Sequence, residues 1–241
     1  FDTINVDNAS VTLNDGILNS STENGYGVFV KNNGTLTSSA LLAINANVDI
    51  DTTSTLSYEQ GGSIIGNVRN AGKMLWKNTT AGKVLAITGN YDGVAGSLLA
   101  INSVLGDDSS QTDSMSVSGN TSGQSSISVT NLGGLGALTT SGIKVVQVGG
   151  SSGASFSLAS PVQAGAYQYA LQKGDQQGLN TNNWYLVSTI TTPPVTPPVT
   201  PPVTPPVTPP VTPVDPIDPV TPVIPIYRPG IADYVLGQKI N

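Results

Sequence analysis

Proline divides this chain of 241 residues into two regions that can form different kinds of structure. One proline, Pro161, lies in residues 1–192; the other 16 follow Thr192, first as an unbroken PPVT repeat and then as the looser run PVDPIDPVTPVIPIYRP. Proline fixes φ and has no backbone N–H group, so such a segment cannot join a sheet or a helix. Regular structure is therefore expected in residues 1–192. Residues 193–226 are predicted to form an extended polyproline-II linker about 100 Å long, at roughly 3.1 Å per residue.

The first region has the residue pattern of an all-β fold. Apolar and small polar residues alternate over short runs bounded by Gly, Asn or Asp, as in Ser126-Ile127-Ser128-Val129-Thr130. Such alternation is typical of strands with one buried and one solvated face. No stretch keeps an apolar period of 3.6 residues, and glutamate occurs only as Glu23 and Glu59. We therefore expect strands almost throughout residues 1–192.

A weak repeat in residues 1–83 predicts how these strands are arranged. The units Asn33-Gly34-Thr35-Leu36, Thr53-Ser54-Thr55-Leu56 and Ala71-Gly72-Lys73-Met74-Leu75 recur along the chain, each with a turn residue before a polar and then an apolar residue. A turn-plus-strand unit about every 20 residues indicates a β-solenoid, in which stacked coils bury their apolar side chains inside. The alternative is an ordinary β-sandwich in which the spacing is coincidental.

Residues 84–187 contain clearer strands, while the repeat fades. Aromatic residues gather near the end of this block, at Phe156, Tyr167, Tyr169, Trp184 and Tyr185. A solenoid needs an end cap, because its last coil otherwise exposes apolar surface and unpaired backbone groups. We therefore predict the end of a β-helix in residues 1–83 and a C-terminal β cap in residues 84–192, before the linker.

The composition excludes several kinds of site. The chain has no Cys and no His, so it can build neither a Ser-His-Asp or Cys-His nucleophile, nor a Cys/His zinc site, nor a disulfide. Its net charge of −6 disfavours nucleic acid, which is bound mainly through Lys and Arg. We predict no catalytic residue, no cofactor, no metal and no nucleic-acid partner.

The remaining candidates for chemistry each have a simpler interpretation. Asp107, Asp108 and Asp113 could form a weak Ca²⁺ loop, but carboxylates in such a run more commonly bond turn N–H groups. Asp49 and Asp51 share one side of a strand and could imitate a glycosidase pair, although an outward polar face explains them better. Trp76, beside Lys73 and Lys77, could contact a glycan, but packing between coils is the favoured interpretation.

A series of motifs runs through the later part of this region. It begins at Ala81-Gly82-Lys83-Val84-Leu85-Ala86-Ile87-Thr88-Gly89-Asn90-Tyr91, continues through 97–109 and 112–119, and is completed by 142–148, 165–171 and 183–186. The series resembles the C-terminal passenger region of pertactin-like bacterial autotransporters, in which 97–109 is similar to the family's L…LGxDxS segment and 112–119 to its TDxLxVxG segment. The resemblance covers roughly residues 64–192. In addition, Tyr227-Arg228-Pro229 and Ile231-Ala232-Asp233-Tyr234 resemble the segment that opens the family's outer-membrane barrel, with Gly230 in place of a frequent Glu.

The resemblance implies a fold, a location and partners. It implies a right-handed parallel β-helix, displayed outside a bacterial outer membrane by its own C-terminal β-barrel with the barrel-assembly machinery. Residues 227–241 would then begin a truncated barrel segment, and the chain would be a fragment of a longer precursor. What the missing N-terminal passenger does, whether the passenger is cleaved, its ligand and its oligomeric state are not predicted.

The resemblance also implies a function, namely an autochaperone that nucleates folding of the β-helix and supports its secretion and display. The denser apolar strands of residues 84–187 make them the expected nucleus. The candidates for the nucleus and cap are Leu98, Leu99, Ile101, Val117, Val145, Val148, Phe156, Tyr167, Tyr169, Trp184 and Leu186. One alternative function is an adhesin-type module that binds a glycan or a host cell. Another, less favoured, is a fragment of a surface enzyme.

Overall fold

Short parallel strands wound into successive coils make up most of this protein. The computed structural model describes residues 3–14, 17–20 and 25–191, with the side chain of Leu42 left out, and within them every regular element is a strand. The predicted fold class, an all-β parallel β-helix, is confirmed. No helix suited to crossing a membrane occurs in these residues. The predicted linker (193–226) and barrel segment (227–241) lie outside the described residues.

Each of the first five coils contains three strands. The first two coils are β1 (Ile4–Asp7), β2 (Ser10–Leu13), β3 (Ile17–Asn19), β4 (Val28–Lys31), β5 (Thr35–Ser38) and β6 (Leu42–Asn45). The next three are β7 (Val48–Ile50), β8 (Thr55–Tyr58), β9 (Gly62–Ile64), β10 (Val68–Asn70), β11 (Lys73–Trp76), β12 (Val84–Ile87), β13 (Tyr91–Gly93), β14 (Leu98–Ser103) and β15 (Ser114–Val117).

Strands in the same position of each coil pair in parallel, which gives the helix three faces. Face A stacks β1, β4, β7, β10 and β13; face B stacks β2, β5, β8, β11 and β14; face C stacks β3, β6, β9, β12 and β15. The repeat seen in the sequence is in register, because Leu36 pairs with Leu56 and Leu56 with Met74 on face B. The solenoid interpretation is therefore confirmed against the β-sandwich.

From the third coil onward, coil length increases toward the C-terminus. Along face A the paired residues Ile4, Val28, Val48, Val68, Tyr91 and Thr121 mark coils of 24, 20, 20, 23 and 30 residues. The extra residues enter mainly at the turn between faces B and C, which we call the loop corner. It grows from three residues at 39–41 and 59–61 to seven at 77–83, ten at 104–113 and eleven at 132–142. Parallel pairing nevertheless continues across residues 83 and 84, since β12 pairs with both β9 and β15.

The last two coils lead into an antiparallel cap. The sixth coil has β16 (Thr121–Asn131), which pairs with β13 and then β14, and β17 (Ile143–Val148) on face C; the seventh has β18 (Ser155–Leu158), which pairs with β16. The cap is β19 (Val162–Ala164), β20 (Tyr167–Lys173) and β21 (Trp184–Ile190). Strand β21 pairs antiparallel with β17 and with β20. The cap is thus joined to face C by backbone hydrogen bonds.

One continuous core runs along the axis of the coils. Alternate residues of each strand point inward, so that rows such as Ile44, Ile64, Ile87 and Val117 stack on one another and are buried. The core extends from Val6 in the first coil to Leu186 in the cap. The side-chain period of two that suggested strands in the sequence therefore also specifies which residues fill the helix.

Candidate functional site

Three aromatic rings link the fifth coil, the seventh coil and the cap. The ring of Phe156 stacks on Tyr91, with centroids 6.2 Å apart, and meets the edge of Trp184 at 5.3 Å. Such stacked and edge-to-face pairs add stability beyond the area they bury. Trp184 is 9% exposed and Tyr91 is fully buried. The cluster thus fixes the cap onto coils that lie up to 93 residues earlier in the chain.

Most of the predicted nucleus residues lie in the core at this end. The buried ones are Leu99, Ile101, Val117, Val145, Val148, Phe156, Tyr169, Trp184 and Leu186. Tyr167 is half-buried and packs against the core. Leu98 differs: it is half-buried and occupies an outward row of face B, in register with Lys73 and Ser126, because Leu99 takes the inward position.

A buried carboxylate holds the loop corner of coils four and five together. Asp113 is fully buried, and its oxygens accept hydrogen bonds from the backbone N–H of Lys83 (2.8 Å) and of Asn102 (3.0 Å). The side-chain amides of Asn78 (3.2 Å) and Asn102 (3.0 Å) donate to it as well. The Asn102 amide also donates to the carbonyl of Trp76 at 2.9 Å and to Asn78 Oδ1. Neutral donors from three segments therefore satisfy this carboxylate, as a buried charge requires.

Two hydroxyl groups fasten the cap to the longest loop, residues 132–142. Tyr169 Oη donates to the carbonyl of Gly106 at 2.8 Å and accepts from the N–H of Ala137 at 3.1 Å. Ser188 and Thr139 bond reciprocally: Thr139 N–H donates to Ser188 Oγ (2.7 Å) and Ser188 N–H donates to Thr139 Oγ1 (2.9 Å). These bonds join β20 and β21 to loops of the fifth and sixth coils.

Asp108 anchors the end of the same loop. Its carboxylate accepts the N–H groups of Thr140 (3.0 Å), Ser141 (3.0 Å) and Gly142 (2.8 Å). Burial opposes ionisation, but the N–H groups of Gly142, Ser141 and Thr140 together hold the pKa of Asp108 below its ordinary value. The ionised form of Asp108 therefore stabilises the loop on which the cap rests.

The turn between face C and the next face A strand, which we call the ladder corner, contains a stack of asparagines. Asn47 Oδ1 accepts from Asn67 N–H (2.7 Å), Asn67 Oδ1 from Asn90 N–H (2.8 Å), and Asn90 Oδ1 from Asn120 N–H (2.8 Å). The ladder ends where Asn120 Oδ1 accepts from Ser151 N–H at 2.8 Å. One side-chain amide per coil thus accepts a hydrogen bond from a turn N–H group of the next coil along the chain.

Glycine precedes Asn67, Asn90 and Asn120, and the ladder corner has no room for a larger residue at Gly89 or Gly119. A Cβ atom on Gly89 would lie 2.4 Å from Asn67 Oδ1 and 2.5 Å from the Gly66 carbonyl; one on Gly119 would lie 2.5 Å from Asn90 Oδ1 and 2.6 Å from the Gly89 carbonyl. The glycines also bond to each other, with Gly119 N–H donating to Gly89 O at 3.0 Å.

The ladder covers only part of the helix. At the C-terminal side, Asn182 closes it by donating its amide to the carbonyl of Gly150 at 3.0 Å. At the N-terminal side, the second coil has Gly27 opposite Asn47, so the stack of side chains stops there. Coils three to seven and the cap therefore share a set of fastenings that the first two coils lack.

The carboxylates considered for catalysis or metal binding are held in structural hydrogen bonds. Asp107 accepts from Ser109 N–H (2.9 Å) and Ser109 Oγ (2.6 Å), which is the turn chemistry predicted. Asp49 pairs with Arg69 at 2.9 Å. Asp51 accepts from Asn32 N–H (2.6 Å) and Thr53 N–H (2.9 Å); burial opposes ionisation, yet hydrogen bonds from Ser54, Asn32 and Thr53 lower its pKa to about 2. The described residues contain no cluster of three or more metal-ligating acids.

Trp76 does not present its ring to a glycan. It is 4% exposed, lies on the inward side of β11 and pairs in register with the fully buried Tyr58. The packing interpretation of Trp76 is therefore confirmed.

The sequence similarity to known proteins falls on the coils that contain the ladder and on the cap. Residues 63–171 match the sequence profile of Autochaperone Domain Type 1. This segment begins within β9 and ends within β20, so it includes coils four to seven and the first part of the cap.

Several longer proteins share sequence with this chain. The uncharacterized protein YuaQ of Escherichia coli strain K12 is 44% identical over 133 residues, which is 55% of this chain and 10% of that protein. Autotransporter adhesin AIDA-I of Escherichia coli is 46% identical over 113 residues, 47% of this chain and 9% of its own. Probable autotransporter YfaL of strain K12 is 35% identical over 185 residues, 73% of this chain and 14% of its own. The chain thus spans a small part of each relative.

Proposed function

We propose that this chain carries the autochaperone region of an autotransporter passenger, in agreement with the resemblance found in its sequence. This region nucleates folding of the β-helix and so supports its secretion and display. The observation that carries the proposal is the antiparallel cap, in which β21 pairs with β17 and with β20. The cap covers the last coils, so a helix that nucleates there would grow toward its N-terminus.

Growth from the cap would use the edges of strands that are already paired with it. A strand with an unpaired edge presents N–H and C=O groups that template another strand. Solenoids fold by forming a nucleus and adding neighbouring repeats to it. Once β17 has paired with β21, its other edge would accept β15, and β15 would then accept β12.

The cap has features expected of an early-forming structure. Strands β20 and β21 form a hairpin whose pairing runs from Tyr167 with Ile190 to Lys173 with Trp184. Local pairs close at a lower entropic cost than pairs distant in sequence, so this hairpin would precede the parallel coils. It brings Trp184 and Leu186 to the core, against which β17 and β18 can then assemble.

The relatives support a proposal about location and partners. We propose that the passenger is extracellular, on the bacterial cell surface, and attached to its own C-terminal outer-membrane barrel, which the barrel-assembly machinery would insert. The names of AIDA-I and YfaL as autotransporters support this. The autochaperone match indicates a non-catalytic domain rather than a surface enzyme.

A second candidate function is adhesion, because AIDA-I is named an adhesin. The match covers 9% of AIDA-I, so the adhesive part of that protein can lie elsewhere in its chain. A screen of residues 1–192 against glycans and cultured cells tests this candidate. Saturable binding would support it, and binding by the rest of the precursor alone would oppose it.

Deletion of residues 84–187 from the full precursor tests the proposed nucleation. We expect the amount of protease-resistant passenger at the cell surface to fall, while insertion of the barrel stays unchanged. A matched control deletes residues 4–27, one complete coil, because Thr3 then joins Val28 in register and both the ladder and the cap remain. The control should be displayed normally. A folded passenger at normal surface levels after deletion of 84–187 would overturn the proposal.

A further inference from the structure

The pattern of side chains in these coils leaves their register weakly specified. Between β12 and β15, the inward residues Leu85 and Ile87 oppose Met115 and Val117. A slip of one residue would reverse the faces, but a slip of two would not. One of the two slips of this kind would place Leu85 against Asp113 and break the hydrogen bonds of that buried carboxylate. The other would place Leu85 against Val117, Ala86 against Ser118 and Ile87 against Gly119. In that second slip the core would lose only the partner of Ile87, and the outer face would still present serine.

The ladder corner does oppose it. Asn90 Oδ1 accepts the N–H of Asn120 at 2.8 Å, three residues beyond the end of β15. The neighbouring contact of Gly119 with Gly89 requires a residue without Cβ, since a Cβ there would lie 2.6 Å from the Gly89 carbonyl and 2.5 Å from Asn90 Oδ1. A slip of two residues would bring Val117 or Thr121 to that place.

We propose that the asparagines of the ladder corner, with the glycines that precede three of them, set the register between successive coils from the third to the seventh. Asn47, Asn67, Asn90 and Asn120 are then positioning residues for the stacking of coils. The proposal deepens the nucleation role of this region and rests on it for its biological meaning. A nucleus in the wrong register would template every coil added later in the wrong register too.

Disulfide trapping in the purified chain measures register directly. The chain contains no cysteine, so each double variant has two thiols and no competing ones. The pair Ala86→Cys with Ser116→Cys reports the native register, because these residues are directly opposed. The pair Ala86→Cys with Ser118→Cys reports a two-residue slip; its Cα atoms would be about 8 Å apart in the native register, too far for a disulfide.

Each pair is oxidised during refolding, with and without Asn90→Ala. We expect the native pair to dominate in the unaltered chain, and Asn90→Ala to raise the ratio of slipped to native cross-link by about fivefold to tenfold, the change expected for loss of one hydrogen bond. Asn90→Asp keeps an acceptor oxygen and should restore the native ratio. Gly119→Ala, measured in the same way, decides the question if Asn90→Ala does not fold.

Two controls separate register from stability. Ile87→Val weakens the core beside the same strands and leaves the ladder intact, so the ratio of cross-links should not change. Asn45→Ala removes an exposed amide outside the ladder, which bonds Asn19 at 3.0 Å, and should also have no effect. The proposal would be overturned if the ratio of slipped to native cross-link were the same in Asn90→Ala, Gly119→Ala and Ile87→Val. Cross-linking is measured in purified protein, whereas surface display is measured on cells. A negative result for the ladder would therefore not decide the nucleation proposal, which the deletion experiment tests separately.

Discussion

The first two coils and the later coils are built from the same strands but are held in different ways. Both have parallel pairing and inward apolar rows. In the first coil, however, β2 and β3 are mostly exposed, and the ladder corner of the second coil has Gly27 where later coils have asparagine. The later coils add the ladder, the polar network of the loop corner and the cap. The comparison teaches that the repeat specifies the fold, whereas the side-chain bonds to turns differ along the helix. The early coils have them between faces A and B, where Asp51 accepts from Asn32 N–H at 2.6 Å, and the later coils have them at the ladder and loop corners.

The network around Asp113 shows why this difference concerns cooperativity as well as stability. Asp113 bonds Lys83 and Asn102, while Asp108 bonds residues 140–142 and Tyr169 bonds Gly106. Apart from the bond between Asp113 and Asn102, which lies within the fifth coil, each of these contacts joins segments of different coils or of a coil and the cap. Loss of any one coil in this region therefore removes partners from its neighbours, which makes the later coils and cap one unit.

The largest effect is expected for Trp184→Ala. Truncation of this buried ring should lower the free energy of unfolding by about 3–5 kcal/mol. Phe29→Ala, at a half-buried outward position in the second coil, should cost less than about 1 kcal/mol. Chemical denaturation followed by tryptophan fluorescence of the remaining Trp76, or by circular dichroism, measures both. Equal losses of unfolding free energy in the two variants would contradict the difference proposed between the two regions.

A smaller effect is expected for Asp113→Ala. This change leaves the N–H groups of Lys83 and Asn102 without their buried acceptor, and we expect a loss of about 2–4 kcal/mol in the free energy of unfolding. Asp107→Ala is the control, because that carboxylate is exposed and bonds only Ser109 within its own turn. An unchanged midpoint for Asp113→Ala would show that the loop corner does not couple the coils.

Acid should loosen the cap with the smallest of the three effects. The folded-state pKa of Asp108 lies below its ordinary value, so its ionised form stabilises the fold above about pH 4. That contribution is lost as pH falls through the lower folded pKa. Unfolding midpoints measured from pH 5 to pH 2 should therefore fall less steeply in Asp108→Asn than in the unaltered chain. If the unfolding midpoint had the same dependence on pH in both proteins, Asp108 would not contribute to the loss of stability in acid.

Asp51 provides the corresponding test in the early coils. Its pKa of about 2 also gives stability that disappears as pH falls toward that value. The hydrogen-bond partners of the Asp51 carboxylate are the nearby turn residues Asn32, Thr53 and Ser54. In Asp51→Asn, acid-dependent hydrogen exchange should change around residues 32–54 and leave the cap unaffected.

Much of the fold was predictable because it depends on local periodicity. The strands, the β-helix and the buried rows follow from alternation and from the repeat that places Leu36 beside Leu56. Leu98 shows the limit of that reasoning. Two adjacent leucines both fit an inward position by composition, and only the pairing with Lys73 and Ser126 places Leu98 outward.

The hydrogen bonds of the ladder corner and of Asp113 could not be predicted in the same way. The dipeptide Gly-Asn recurs at 66–67, 89–90 and 119–120, which is a visible signal, but its spacings of 23 and 30 residues are unequal. Loops inserted at a different corner cause that inequality, so a search for a fixed period misses it. Asp113 likewise resembles an ordinary turn residue until the loops at 77–83 and 104–113 meet in space.

The two kinds of corner give the molecule a fixed side and a variable side. Glycine and asparagine leave little freedom at the ladder corner, whereas the loop corner already accommodates connections of three to eleven residues without interrupting the pairing on either side. Insertions during evolution can thus accumulate at one edge while the stacking of the coils is inherited unchanged at another. For protein engineering, the loop corner, outside the turn that carries Asp108, is accordingly the place to graft a foreign peptide onto this helix.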